Sequence, residues 1–206
     1  MASVEDYAFE DCSSLTIIDL PDGVTSIGGA AFYGCSGLRS IEIPNSVTSI
    51  GDSAFYDCSG LTMVVIPNSV TSIGGSAFMD CSGLVTVTIG SSVESIGDEA
   101  FANCNKLEEI YALSRIAVVC NENVFSSTAY RNVVLYVPEG REFAYERTVP
   151  WCNFYILPIP TAINGIAPDN MGENVPIYNM QGVRMKSADD LHKGVYIKGG
   201  RKVLVR

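Results

Sequence analysis

From Val24 to Ile43 the apolar residues fall at Val24, Ile27, Ala31, Phe32, Cys35, Leu38, Ile41 and Ile43, with polar or small residues between them. Ile41 and Ile43 are two apart, the period of a strand, so "SIEI" predicts a short β-strand. Pro44 ends it, because proline has no N–H for the next rung of a ladder. "PNS" then predicts a turn. Val24 and Ile27 predict a second short extended segment, closed by Gly28. Ala31, Phe32, Cys35 and Leu38 follow at spacings of three and four, which predicts a helical turn or two on the opposite flank.

The same pattern returns every 23 residues. Phe9, Phe32, Phe55, Phe78 and Phe101 mark the period, as do Cys12, Cys35, Cys58, Cys81 and Cys104, and Leu15, Leu38, Leu61, Leu84 and Leu107. A fixed period in this range signals a solenoid, whose coils bury their apolar side chains against one another. No single coil offsets its own backbone entropy, but a stack does. The expected fold is therefore a repeat solenoid: a parallel β-sheet with strands ~4.8 Å apart, short helical turns, and continuous Phe and Leu columns inside.

The register breaks after Arg115. "IAVVCNENVFSSTAYRNVVLYVPEGREFAYERTVPWCNFYILPI" keeps a Phe (Phe125), a strand (Val133–Val137) and a short helix (Arg141–Arg147) stopped by Pro150. The stretch would cover the open end of the stack, with Trp151 packed as part of the lid. "PIPTAINGIAPDNMGENV" reads as a linker. Beyond it, Val175–Tyr178 and Val183–Met185 flank one turn, and Val195–Ile197 and Lys202–Val205 flank Gly199-Gly200, a hairpin signal. The organisation is thus five repeats over 1–115, a cap over 116–160, a linker over 161–174 and a small all-β tail domain over 175–206.

The phrase "CSGLxxIxIPNSVTSIGxxAF" resembles the BspA-type (treponemal-type) leucine-rich repeat of bacterial surface proteins, over residues 1 to about 157. The first copy departs from it with "MASVEDYAF", and the fifth loses its proline in "NKLEEIYALSR". The stretch after Arg115 resembles the closing unit of the same family. The tail, with Tyr178, Asn179, Gly182, Gly194, Tyr196 and Lys202, resembles the C-terminal sorting domain of Bacteroidetes-type secreted proteins. These resemblances imply a secreted or surface-attached bacterial protein that adheres to host or neighbouring-cell proteins. No leader is visible at the N-terminus.

Charge narrows the partners. Residues 1–115 carry three cations against fifteen carboxylates, whereas residues 184–206 carry seven cations against two. An acidic body repels phosphate backbones, so nucleic acid is not expected as a partner. No apolar run approaches the ~20 residues of a membrane span.

Chemistry-bearing motifs are scarce in the chain. No metalloprotease, redox, phosphate-binding or nucleophile-elbow motif occurs, and the single histidine, His192, lies in the tail. Ser53 stands in "GDSAF", but neighbouring copies put other residues in that slot, so it reads as a turn residue and an enzyme is not expected. The cysteine column reads as buried small hydrophobes without bridges or metal. Cys120 and Cys152 both fall in the cap and have the opportunity to pair. Asp52, Asp57, Asp80, Asp98 and Glu99 lack the alternating spacing of a dedicated Ca²⁺ loop and read as solvating charge. No cofactor or metal is expected.

A site must lie where the copies differ. The residues alternating outward on the strands are Ile17 and Asp19, Ser40 and Glu42, Met63 and Val65, Thr86 and Thr88, Glu109 and Tyr111. Ser40, Glu42, Met63, Val65, Thr86, Thr88, Glu109 and Tyr111 form the candidate face for a protein ligand, possible ligands including host and extracellular-matrix proteins. Tyr111 is the proposed anchor. The alternatives are an ordinary exposed sheet face on a spacer that displays another factor and, less favoured, a hydrolase.

Overall fold

In each copy the strand that follows the conserved leucine and the strand in the "VTSI" slot lie on different sides of one coil, and each pairs only with its equivalents in neighbouring coils. The computed structural model describes residues 2–159 in full, and beyond them the backbone of three further strands. The inner coils alternate two kinds of strand: β1 (Ala2–Val4), β2 (Ile17–Asp19), β3 (Val24–Ile27), β4 (Ser40–Glu42), β5 (Ser49–Ile50), β6 (Met63–Ile66), β7 (Ser72–Ile73), β8 (Thr86–Ile89), β9 (Ser95–Ile96) and β10 (Glu109–Ala112). The odd-numbered strands β1 to β9 form one parallel sheet in chain order. The other ladder runs β6, β8, β10, β11 (Val134–Val137) and β12 (Tyr155–Pro158), also parallel. β2 and β4 pair with each other, and β4 packs beside β6.

The Phe column stands in file. Phe9, Phe32, Phe55, Phe78, Phe101 and Phe125 stack with ring centroids 5.0–5.5 Å apart and ring planes within 12° of parallel. The coil rise sets that spacing, and it lies within the range of favourable aromatic pairs. Phe32, Phe55 and Phe78 are wholly buried, and Leu38, Leu61 and Leu84 accompany them.

The expected helical turns on the flank are absent. That segment contains no helix in the first five coils. Its amides alternate instead. The N–H groups of Ala30, Phe32 and Gly34 donate to carbonyls of the next coil, on Asp52, Ala54 and Tyr56, at 2.7–2.8 Å. Those of Ala31, Tyr33 and Cys35 donate three residues back within their own coil, at 3.0–3.4 Å. The alternation needs left-handed backbone at two places per coil: Tyr7, Ala30, Ser53, Ser76 and Glu99 at the first, Asp11, Gly34, Asp57, Asp80 and Asn103 at the second. A helix would spend every amide on its own coil and leave this flank unattached to its neighbours.

In the second to fourth copies two glycines each mark a close approach between coils, and the fifth keeps the first of them, Gly97. A Cβ on Gly51 would stand 2.7 Å from the Gly28 carbonyl carbon, and one on Gly60 would stand 2.5 Å from the Ser36 carbonyl oxygen. This accounts for the near-invariant spelling of "SIG" and "CSG".

Residues 116–159 extend the stack by two irregular coils. Their strands β11 and β12 continue the ladder, at 25 residues from Glu109 to Val134 and 21 from Val134 to Tyr155. Among the described residues α-helix appears only here, as the short α1 (Ala129–Asn132) and α2 (Glu142–Tyr145), α2 within the expected 141–147. Trp151 is buried, meets Phe125 edge-on at 5.6 Å, and donates its indole N–H to the Val118 carbonyl at 2.6 Å.

The chain divides into two compact units, Met1–Pro158 and Ile159–Arg206. In the second, β13 (Ile177–Asn179), β14 (Gly194–Lys198) and β15 (Arg201–Val205) pair antiparallel in that order. Tyr178 and Asn179 lie on β13, Gly194 and Tyr196 on β14, and Lys202 on β15. The linker reading, the Val183–Met185 strand, Gly182, His192 and the turn residues Gly199 and Gly200 lie outside the described residues.

Candidate interaction surface

Strands β4, β6, β8 and β10 bury Ile41, Val64, Val87 and Ile110 and turn the residues on either side outward, and β2 does the same with a partly buried Ile18. The parallel register aligns these outward residues in two rows. One runs Met63, Thr86, Glu109, Val134, Tyr155, and the other Val65, Thr88, Tyr111, Tyr136, Leu157. The β2–β4 pair adds Ile17 beside Ser40 and Asp19 beside Glu42. All eight candidate residues lie on this side. Ser40, Glu42, Met63 and Val65 are exposed, while Thr86, Thr88, Glu109 and Tyr111 are half-buried.

Tyr111 does not stand alone. Its ring stacks on Tyr136 at 4.7 Å, and its hydroxyl donates to the Glu109 carboxylate at 3.3 Å. Desolvation, with the nearby Glu109 charge, pushes both phenols above their ordinary range, so each keeps its proton and remains a donor. Tyr155, 67% exposed, stands in the other row beside Val134. Sequence reasoning missed Val134, Tyr136, Tyr155 and Leu157 as members of the face. The signal was the alternation around Val133–Val137, hidden by the change of spacing.

The other candidates resolve differently. Cys35, Cys58, Cys81 and Cys104 are buried free thiols, and each S–H donates to the carbonyl of the Phe one coil back, at 3.0–3.2 Å. Burial pushes these thiols up, Cys35 to about 11 and Cys104 to about 12. Cys120 and Cys152 are both free. Asp52 accepts the Gly75 N–H at 2.7 Å, as Asp6 does that of Gly29, and Asp98 accepts from the Asn121 side chain. Asp57, Asp80, Glu99 and Ser53 occupy left-handed positions in the flank. Among the described residues no group of three or more His, Cys, Asp or Glu is placed to hold a metal ion, and no helix is long and apolar enough to cross a membrane.

A coil with two short strands per 23-residue leucine-marked copy, each stacked on its equivalents into a parallel ladder, defines a bacterial-type leucine-rich-repeat solenoid. The family model for the BspA-type leucine-rich-repeat region matches residues 2–131 in six copies, and the chain belongs to that family. It is similar to the leucine-rich-repeat protein TpLRR of T. pallidum, with 32% identity, a TM-score of 0.56, and coverage of 66% of this chain and 62% of that one. A leucine-rich-repeat protein of Bacteroides ovatus gives 29% identity, a TM-score of 0.55, and coverage of 72% and 45%. The pneumococcal vaccine antigen PcpA, at 21% identity, a TM-score of 0.62, and coverage of 77% and 42%, shares the fold. The chain therefore spans less than two thirds of the length of these proteins. No curated protein matches it.

Proposed function

We propose that the chain is a non-catalytic binding module of a secreted or surface-displayed protein, which takes a protein ligand on the strand face. One observation carries this reading. The buried and close-approach positions are nearly fixed from copy to copy, whereas the outward rows differ in every copy and share one rigid side. A preformed sheet loses little conformational entropy on binding. Exposed Met63 and Val65, rimmed by polar and aromatic residues, match the anatomy of a recognition surface. Family membership supports display outside the cell, and the tail phrases support export through a sorting signal. Host and extracellular-matrix proteins are the proposed partners.

The test is a pull-down against extracellular-matrix proteins with wild type, Tyr111→Ala and Met63→Ser. Both substitutions leave the buried columns intact, so folded protein is expected in each case. Loss of the captured protein in both variants supports the face, and capture that survives both removes it. A spacer without its own ligand captures nothing in any arm.

A further inference from the structure

The two ends of the strand face differ in chemistry. At the first coils it offers Asp19 and Glu42, both exposed. At the last coils it offers the stacked pair Tyr111 and Tyr136, then Tyr155. Exposed Met63 and Val65 lie between. The carboxylate at the aromatic end, Glu109, accepts from Tyr111. None of the outward positions on this face carries a cation. The charge of the unit as a whole agrees, with nineteen carboxylates and six cations over residues 2–159.

Resting on the reading of this face as a polypeptide site, the geometry points to one class of ligand: an extended segment that is cationic at one end and aliphatic or aromatic at the other. It would lie across the strands, with its Lys or Arg residues over Asp19 and Glu42 and its apolar end against Tyr136 and Tyr155. Seven strands at ~4.8 Å span on the order of 30 Å, which matches about nine extended residues at ~3.3 Å each. Opposite charge at one end steers encounter and fixes register, and the desolvated rings at the other hold the complex. A segment of the same composition with its charges dispersed would put ammonium groups on the aromatic end and apolar groups over the carboxylates.

The experiment measures binding of fluorescent decapeptides to the full chain. The first has four lysines at one end and leucine and tyrosine at the other. A second has the same residues alternated, a third replaces lysine by glutamate, and a fourth by serine. The block peptide is expected to bind at least tenfold more tightly than its alternated isomer, with an affinity that falls as salt rises. Glu42→Lys should remove that advantage and its salt dependence. Tyr136→Ala should weaken binding about fivefold or more. Glu94→Lys, the same charge change on an exposed residue outside this face, should change it less than twofold. Equal binding of the two lysine isomers overturns the inference, and so does equal damage from Glu42→Lys and Glu94→Lys. Preferred binding of the serine or glutamate peptide, lost with Met63→Ser, overturns the cationic assignment while leaving the face a polypeptide site. Binding by any peptide that is indifferent to Met63→Ser, Tyr136→Ala and Glu42→Lys removes the site itself.

Discussion

The inner coils and the last two solve one problem in opposite ways. Between Val24 and Ser92 each coil covers its neighbour with a copy of itself: Phe on Phe, thiol under Phe carbonyl, glycine against backbone. From residue 116 onward unlike groups do the covering. Phe125, the last ring of the file, is met edge-on by Tyr130, Trp151 and Phe154. Parallel stacking extends a column but leaves its last face open for another copy. Perpendicular rings present edges to that face and stop the propagation. Repetition supplies stability per coil, and termination needs residues that break the repeat.

Emptying the file at its middle should damage the stack most. Phe55→Ala removes a ring with a stacked neighbour on each side and is expected to cost about 3–5 kcal/mol, read by urea or thermal unfolding. Phe9→Ala removes a ring that is only partly buried and stacked on one side, so its cost should be about half. Equal costs would mean that the file is not a cooperative column. Much of the file was legible from the sequence, because burial at fixed spacing needs only the period of Phe, Cys and Leu.

The flank was not legible, and the reason is physical. Ala31, Phe32, Cys35 and Leu38 have helical spacing, yet half of the amides there are satisfied by the next coil, a long-range partner that no local propensity reports. A trace did exist: Asp11, Gly34, Asp57, Asp80 and Asn103 form a column of the residues best suited to left-handed backbone. Two of its members, Asp57 and Asp80, read in the sequence as solvating charge, which hides the column. The face was half legible. Its first five strands follow the period, while Tyr136 and Tyr155 sit on strands displaced by the change to 25 and 21 residues.

Gly60→Ala tests the close approach that the inner coils share. The added methyl would stand 2.5 Å from one carbonyl oxygen and 2.9 Å from another. The coils must part locally, at a cost of about 1–3 kcal/mol, seen in the denaturation midpoint. Gly140, beyond the repeats, has open space around its Cβ position but a φ of +74°. Gly140→Ala should therefore cost only the backbone strain of about 1 kcal/mol.

The cysteine column gives the inner coils a pH response. Burial raises the Cys58 thiol above its ordinary value. The folded state therefore keeps a proton that the unfolded chain releases. This contribution to stability is fully present below about pH 8.5, the unfolded pKa, and is lost as pH rises above it. Each such thiol steepens the decline by at most about 1.4 kcal/mol per pH unit. Chemical denaturation of wild type and Cys58→Ala between pH 8 and 9.5 should show the variant with the shallower fall. Parallel curves would mean that Cys58 is ionised as readily inside the stack as outside it.

The smallest effect concerns the backbone that the coils need and the last two coils do not. Among the described residues, non-glycine left-handed positions recur through Asn103, and beyond it only Gly140 has positive φ. Ser53, at φ 54°, has neither the short carboxylate nor the amide that eases this conformation. Its N–H donates to the Gly75 carbonyl at 2.8 Å, so the coil holds it there through a bond to its neighbour. Ser53→Gly keeps that bond and removes a strain of about 1–2 kcal/mol. It also gives the unfolded chain more freedom, which offsets about 0.5–1 kcal/mol of the gain. A net stabilisation of about 0.5–1 kcal/mol is expected in the denaturation midpoint. Asp57→Gly should gain less, since Asp already tolerates the conformation. If Ser53→Gly destabilises, the left-handed backbone is not a cost that the stack carries but a conformation its side chain helps to set.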